Sequence, residues 1–353
     1  MRTAVNVGVV ALGEEWAEEL ARRFYEHPQA ELSWLCAPDP QQRLRASAVY
    51  PRTKTTADPQ ELFDDETVDA IVLSAPLEYR AALARRALDA EKHVLLGEPI
   101  ALSASAAAEL GALADRRGRR LTPTHSLAFH PAVRKLKELI EVGRLGELYY
   151  VVVNLEHLDP HPGQSVVWSL GAAEISLLLH LVGDEPVAAE AWADAYRYPD
   201  APDIASCHLG FATGVSVHLH LGWLCAQPRH QITVVGSRRT AIFNEHDRER
   251  PLTVYEQGVQ PLRGDRWLDG PPRVGEIVSP RTGPHDPVGA ACDHFLEAIR
   301  SGDGSDSRRG VAVVSVLEAI QTSLEGSRAP VAVVGGAPAS ALRLVSRTHL
   351  KPV

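Results

Sequence analysis

Along the first 125 residues, short unbroken apolar runs alternate with stretches in which apolar residues recur at helical spacing. The runs lie at 5–12, 31–36, 70–75, 93–96 and 121–124, and the helical stretches at 14–26, 40–48, 79–90 and 103–117. Runs such as VNVGVVAL and DAIVLSA carry no polar alternation, which is the pattern of strands buried on both faces. Strand–helix repetition of this kind builds a parallel sheet between two layers of helices. Residues 1–125 are therefore predicted to form a Rossmann-like, doubly wound α/β domain.

Beyond a helix at 131–142, which Gly143 is placed to end, the pattern changes. Segments 148–155, 187–196, 204–211, 215–223, 231–235 and 240–244 are strand-like, and several alternate, as in VSVHLHL. Alternation marks a sheet with one wetted face. One helix, at 170–182, interrupts these strands. Two more, at 289–299 and 310–324, follow a Pro- and Gly-rich loop at about 258–285. Residues 126–353 read as an α+β domain, an open, mainly antiparallel sheet backed by helices. Sheets of this kind commonly pair with another copy, so a homodimer or homotetramer through the C-terminal sheet is expected.

Composition narrows the function classes. At 353 residues, 45% hydrophobic and 23% charged, the chain has enough apolar matter for two ordinary cores. A formal net charge of −9 gives no electrostatic help to a nucleic-acid or anionic-membrane partner. The apolar runs fall well short of the roughly 20 residues of a membrane span. The N-terminus lacks a signal peptide's layout. Cys36, Cys207, Cys225 and Cys292 show no CxxC spacing and read as reduced thiols. A cytoplasmic protein acting on a small molecule is expected.

Seven segments, in order, carry a resemblance to a known family: VNVGVVALG, VDAIVLSAP, KHVLLGEPIALS, FHPAVRKLKELIEVGRLGELYYV, WSLGAAEISLLLHLVG, ATGVSVHLHLGWL and ITVVGSRRTAIF. In these the chain resembles the Gfo/Idh/MocA oxidoreductases, the family of glucose–fructose oxidoreductase and inositol dehydrogenase. The resemblance implies NAD(P) bound at the first strand–helix turn. It also implies a hydride passed to or from a sugar, cyclitol or similar polyol held against the second domain's sheet.

The positions that carry this chemistry in the family depart from its pattern here. The three fingerprint glycines correspond to Ala11, Gly13 and Trp16, and Glu14 and Glu15 add negative charge where a pyrophosphate would lie. The ribose-holding acid after the second strand corresponds to Ala37, with Asp39 two residues on and no arginine in the immediate turn. After the fourth strand Ala75 and Pro76 are kept, but Leu77 and Arg80 replace an amide and an imidazole. The lysine between nicotinamide and substrate corresponds to Glu98. The Asp, His and Asp of the inner helix correspond to Ser169, Ala173 and Ser176, with Glu174 beside the lost imidazole, and the arginine before Phe-His-Pro is Ala128.

On these residues the expected protein holds no cofactor, with NAD(P) as the alternative. Gly13, Ala75 and Pro76 are then vestiges of a dinucleotide site. The expected chemistry is non-redox acid/base work on a small metabolite, such as dehydration, isomerisation or cyclisation, by Glu98, Glu174 and His157. Glu98 and Glu174 are expected to face one cleft; a structural ion pair of Glu98 with Arg80 is the competing account. His157 and His161 are placed on a loop over the substrate, and their spacing with Glu156 and Asp159 matches no metal motif. His218 and His220 share one strand face, where cross-strand stacking outweighs a metal site. Trp168 and Trp223 are expected at a pocket wall or interface. Two other readings stay open: an NAD(P)-dependent sugar or cyclitol dehydrogenase with an unusual site, and a non-catalytic partner of an active paralogue.

Overall fold

The computed structural model describes residues 4–12, 16–158, 164–256, 275–283, 286–302, 306–326 and 328–334. The chain divides into two compact units, Met1–Phe129 with Asp286–Val314, and His130–His285 with Ser315–Val353.

Among the described residues of 4–123 in the first unit, six strands alternate with five helices: β1 (Val5–Ala11), α1 (Trp16–Glu26), β2 (Ala30–Cys36), α2 (Pro40–Val49), β3 (Lys54–Thr56), α3 (Pro59–Asp64), β4 (Ala70–Ser74), α4 (Leu77–Asp89), β5 (His93–Leu96), α5 (Ala104–Arg117) and β6 (Leu121–Pro123). The strands form one parallel sheet in the order β3-β2-β1-β4-β5-β6, so the winding reverses between β1 and β4. Every residue of β4 and β5 is buried, as their unbroken apolar runs require. Helices α2, α3 and α5 start where short polar side chains accept from backbone N–H groups: Asp39 from Gln41, Asp58 from Gln60, and Ser103 from Ala106.

A late segment returns to this unit. Phe295 and Leu296 of α9 (Pro287–Ser301) are fully buried in the core formed by β1, β2 and Phe24 of α1. Burying each such side chain supplies about 1.5–3 kcal/mol, enough to hold a helix that sequence places far away.

The second unit holds α6 (Pro131–Glu141), β7 (Leu148–Leu158), α7 (Val166–Ser169), α8 (Gly171–Val182), β8 (Pro186–Asp194), β9 (Ile204–Phe211), β10 (Ser216–Gly222), β11 (Leu224–Gly236), β12 (Thr240–Asn244), β13 (Leu252–Tyr255), β14 (Ile277–Val278) and β15 (Val331–Ala332). Helix α10 (Ser307–Glu325) begins in the first unit and ends in the second. Among the described residues the second unit's nine strands form one mixed sheet in the order β14-β13-β12-β11-β7-β10-β9-β8-β15. Its β7–β10 pair is parallel and its other pairs are antiparallel. Helix α8 has nine of twelve residues buried, so it is enclosed on nearly all sides, and Gly183 ends it at φ +77°. Gly236 is required by contact rather than by φ: an added Cβ would meet the Leu145 carbonyl oxygen.

Trp223, expected at a pocket wall or interface, is a core residue at 1% exposure. Its indole N–H donates to Asp203 at 3.1 Å, because a buried indole needs a partner. Asp203 also accepts from the backbone N–H groups of Tyr196 and Arg197 and from Arg197 Nε. Burial alone would raise the Asp203 pKa, but these bonds outweigh it and hold it at about 2.

The four cysteines are free, and burial pushes the thiols of Cys36, Cys207 and Cys292 up to about 12. Among the described residues no helix is long and apolar enough to cross a membrane.

Candidate functional site

The carboxyl ends of β1, β2 and β4 are where a doubly wound sheet opens a crevice for a ligand, because the winding reverses there. Each of these three strand ends carries an alanine: Ala11, Ala37 and Ala75. Ala37 and Ala75 are fully buried. Ala11 occupies the first fingerprint position without strain, since Glu91 and Arg328 are the non-glycine residues with positive φ among those described. Pro76 precedes α4, whose N-terminus carries no side-chain cap. Gly13, Glu14 and Glu15 lie outside the described residues.

Polar groups gather at the neighbouring strand ends. Arg80 donates to the carbonyl oxygens of Ala75 at 2.7 Å, Glu98 at 2.7 Å and Pro99 at 3.3 Å, which ties the ends of β4 and β5 together. The Glu98 carboxylate lies 2.6 Å from His125 Nδ1, with the side chains 5% and 4% exposed. An imidazole was not foreseen in this place. The pairing continues the β5–β6 register, in which Leu96 faces Pro123, by two residues past each strand. Asp306, whose carboxylate accepts from His294 at 2.6 Å, feels the charge of the same His125. Burial would raise the Asp306 pKa; the His294 bond and the two imidazoles lower it.

In the second unit, Glu174 of α8 is 1% exposed and its Oε2 accepts from His230 Nε2 at 3.1 Å. His230 Nδ1 donates to Glu245 at 2.7 Å. The β11–β12 hairpin pairs Gln231 with Asn244, so His230 and Glu245 stand opposite each other at the next position. Burial alone would lower the His230 pKa, but the two carboxylates outweigh it and raise it to about 10. The same bond holds the Glu245 carboxyl below its usual range. His230 is therefore an imidazolium gripped at both nitrogens at neutral pH. Glu174 Oε1 is buried without a hydrogen-bond partner among the described residues.

Glu98 and Glu174 thus fall in different units, each held by a histidine of its own unit. His157 is a half-buried residue of β7, not of a loop: the strand runs on to Leu158 because β11 pairs with it that far. Asp159 and His161 lie outside the described residues. His218 stacks on His208 across β9–β10 with ring centroids 5.0 Å apart, and His220 bonds Ser206 at 3.2 Å. Among the described residues no group of three or more His, Cys, Asp or Glu is placed to hold a metal. Asp39 is the N-cap of α2. Trp168 donates to Gln321 at 3.2 Å.

Comparison with known proteins assigns the two halves. Residues 5–125 match the model of the oxidoreductase family's NAD-binding Rossmann fold, and residues 133–242 match the GFO/IDH/MocA C-terminal domain. The oxidoreductase YdgJ of Escherichia coli, itself uncharacterized, is 25% identical over 346 residues, 93% of this chain and 98% of the relative. Among solved structures, a 3-ketoreductase from Actinomadura kijaniata, KijD10, in complex with TDP-benzene and NADP, superposes with a TM-score of 0.76 at 20% identity, over 90% of this chain and 97% of that one. Levoglucosan dehydrogenase in complex with NADH and levoglucosan gives 0.80 at 17% identity, over 94% and 100%.

These findings overturn the expectation that no cofactor is held. The matched N-terminal family is NAD-binding, and the two structures of like fold carry NADP and NADH. At the first fingerprint position the departure is mild, because the methyl group of Ala11 at negative φ does not obstruct a turn. The relatives also leave the non-redox chemistry without support. Two family models in sequence over well over half its length establish that this chain belongs to the GFO/IDH/MocA oxidoreductase family.

Proposed function

We propose that this protein is an NAD(P)-dependent oxidoreductase that interconverts a hydroxyl and a carbonyl on a small sugar- or cyclitol-like molecule, with Glu98 as the group that moves the hydroxyl proton. The observation that carries this is the buried Glu98–His125 contact of 2.6 Å beyond the carboxyl ends of β5 and β6. Ligands of doubly wound sheets bind at this end. Bound nicotinamide supplies the hydride acceptor or donor. The Glu98 carboxylate takes the substrate's hydroxyl proton on oxidation and returns it on reduction, and His125 orients the carboxylate and balances its charge. Glu98 stands where the family resemblance implies a lysine, so on this reading proton handling passes from an amine to a carboxylate–imidazole pair. The alanine-lined strand ends then change how the dinucleotide is held, not whether it is held. Titration of the full chain with NADH and NADPH separately, read by tryptophan fluorescence, is expected to give saturable micromolar binding. Failure to saturate with either ends the proposal.

The same reading takes the second unit's sheet as the surface through which copies associate. Support comes from the large apolar side chains exposed on its strands, Tyr150 and Trp192. Analytical ultracentrifugation is expected to return a dimer or tetramer; a monomer at working concentration contradicts it.

A further inference from the structure

We propose that Asp306 is a positioning residue of the proton-handling pair: it acts on Glu98 through His125, and His294 holds it in place. This rests on the NAD(P)-dependent reading above and extends the site to the residue that precedes α10. A side chain that moves a proton is oriented by a neighbour, and that neighbour is commonly held by a third group. Glu98 and His125 supply the first two members, 2.6 Å apart. Asp306 and His294 belong to the same unit as that pair, although they lie far from it in sequence.

Close packing brings Asp306 to the pair. The backbone N–H of Gly310 donates to the Asp306 carbonyl at 3.3 Å, which forms the first turn of α10. Gly310 sits so tightly that an added Cβ would lie 2.9 Å from Ile100 Cδ1 and 3.0 Å from Pro123 Cγ. Ile100 stands two residues after Glu98, and Pro123 two residues before His125. That turn is therefore seated against both of the segments that carry the pair. Ser307 likewise packs on α5, where a Cβ on Gly111 would lie 3.2 Å from its Oγ. Phe129, four residues after His125, stacks on the ring of His294 with centroids 5.2 Å apart, and His294 Nε2 donates to Asp306 at 2.6 Å. The electrostatics agree with the packing. Burial would raise the Asp306 pKa, but the His294 bond and the charges of His294, His125 and Arg309 outweigh it. A carboxylate that attracts charge on an imidazole also restrains how the ring turns, and the ring in turn aims Glu98.

The competing account is a fastening, in which the His294–Asp306 bond joins α9 to α10 and does nothing for Glu98. The test uses the full chain carrying Asp306→Asn, Asp306→Glu or His294→Gln. Asp293→Asn is the control, since Asp293 lies on the same helix as His294 and bonds His27 instead, at 2.9 Å. Asparagine suits the residue before a helix as well as aspartate does, so Asp306→Asn removes charge without removing the helix start. The first readout is the nitrogen NMR resonances of the His125 ring, which need neither dinucleotide nor substrate. They are expected to move in Asp306→Asn and to stay in place in Asp293→Asn. The second is turnover by nicotinamide absorbance on a panel of sugars and cyclitols. Asp306→Asn is expected to lower kcat about tenfold, less than loss of the base itself, with NAD(P)H affinity unchanged. Asp306→Glu keeps the charge and should recover most of that loss, and His294→Gln should fall between the wild type and Asp306→Asn. A fastening lowers the melting temperature of these variants and leaves kcat and the ring resonances at wild-type values. Unmoved His125 resonances in Asp306→Asn, or a wild-type kcat, overturn the role of Asp306 and leave the oxidoreductase reading standing. A wild-type chain that binds neither NADH nor NADPH overturns that reading itself, and this inference with it.

Discussion

Glu98→Gln is expected to lower turnover by about 10²–10⁴-fold while leaving NAD(P)H affinity nearly unchanged, because it removes a general base without altering the shape of the site. The assay is nicotinamide absorbance with a panel of sugars and cyclitols. The carboxylate is 5% exposed and lies 2.6 Å from His125, so glutamine keeps the shape of the side chain and loses its negative charge together with the capacity to take a proton. His125→Gln should act in the same direction and less severely, since the imidazole positions the carboxylate and does not itself receive the proton. The split between the readouts is the diagnostic: a catalytic role lowers kcat and spares dinucleotide affinity, whereas a merely structural one lowers the melting temperature and leaves kcat of the folded enzyme near wild type. A Glu98→Gln enzyme with wild-type turnover would remove the carboxylate from the mechanism.

The second large effect concerns stability. His230 sits between Glu174 and Glu245 with 3% of its side chain exposed, so His230→Phe strands two carboxylates beside an apolar ring. Breaking a buried pair by deleting one partner costs about 3–5 kcal/mol, and denaturant unfolding should show a loss of that order. The pH dependence has a definite sign. The folded-state pKa of about 10 lies above the ordinary imidazole value of 6.5, so the His230 contribution is complete below about pH 6.5 and is lost as pH rises toward 10. Glu245 works at the other end: its folded pKa is lowered, so its contribution is present above the ordinary carboxylate range and fades as pH falls through the depressed value. Wild-type stability should therefore fall on the alkaline side more steeply than that of His230→Phe. Parallel curves for the two proteins would show that the imidazole is not charged in the folded state.

Both histidines were within reach of a reading that extended strand pairing past the strand ends. Glu98 faces His125 because β5 and β6 are neighbours in register, and His230 faces Glu245 because a hairpin sets β11 against β12. Both imidazoles arrive from adjacent strands, not from the fixed positions along the chain at which a motif places a lysine or a histidine.

What the sequence determined by itself is the architecture: a parallel sheet from unbroken apolar runs alternating with helices, then an open sheet from alternating strands. Periodicity suffices there because it records which face of each element leaves water. The tertiary structure alone decided the partners. It returned Phe295 of α9 to the first unit's core, buried Trp223 against Asp203, and gave each glutamate its own histidine. Such contacts join residues distant along the chain. They depend on how buried surfaces fit and how buried charges find partners, and neither leaves a period in the sequence.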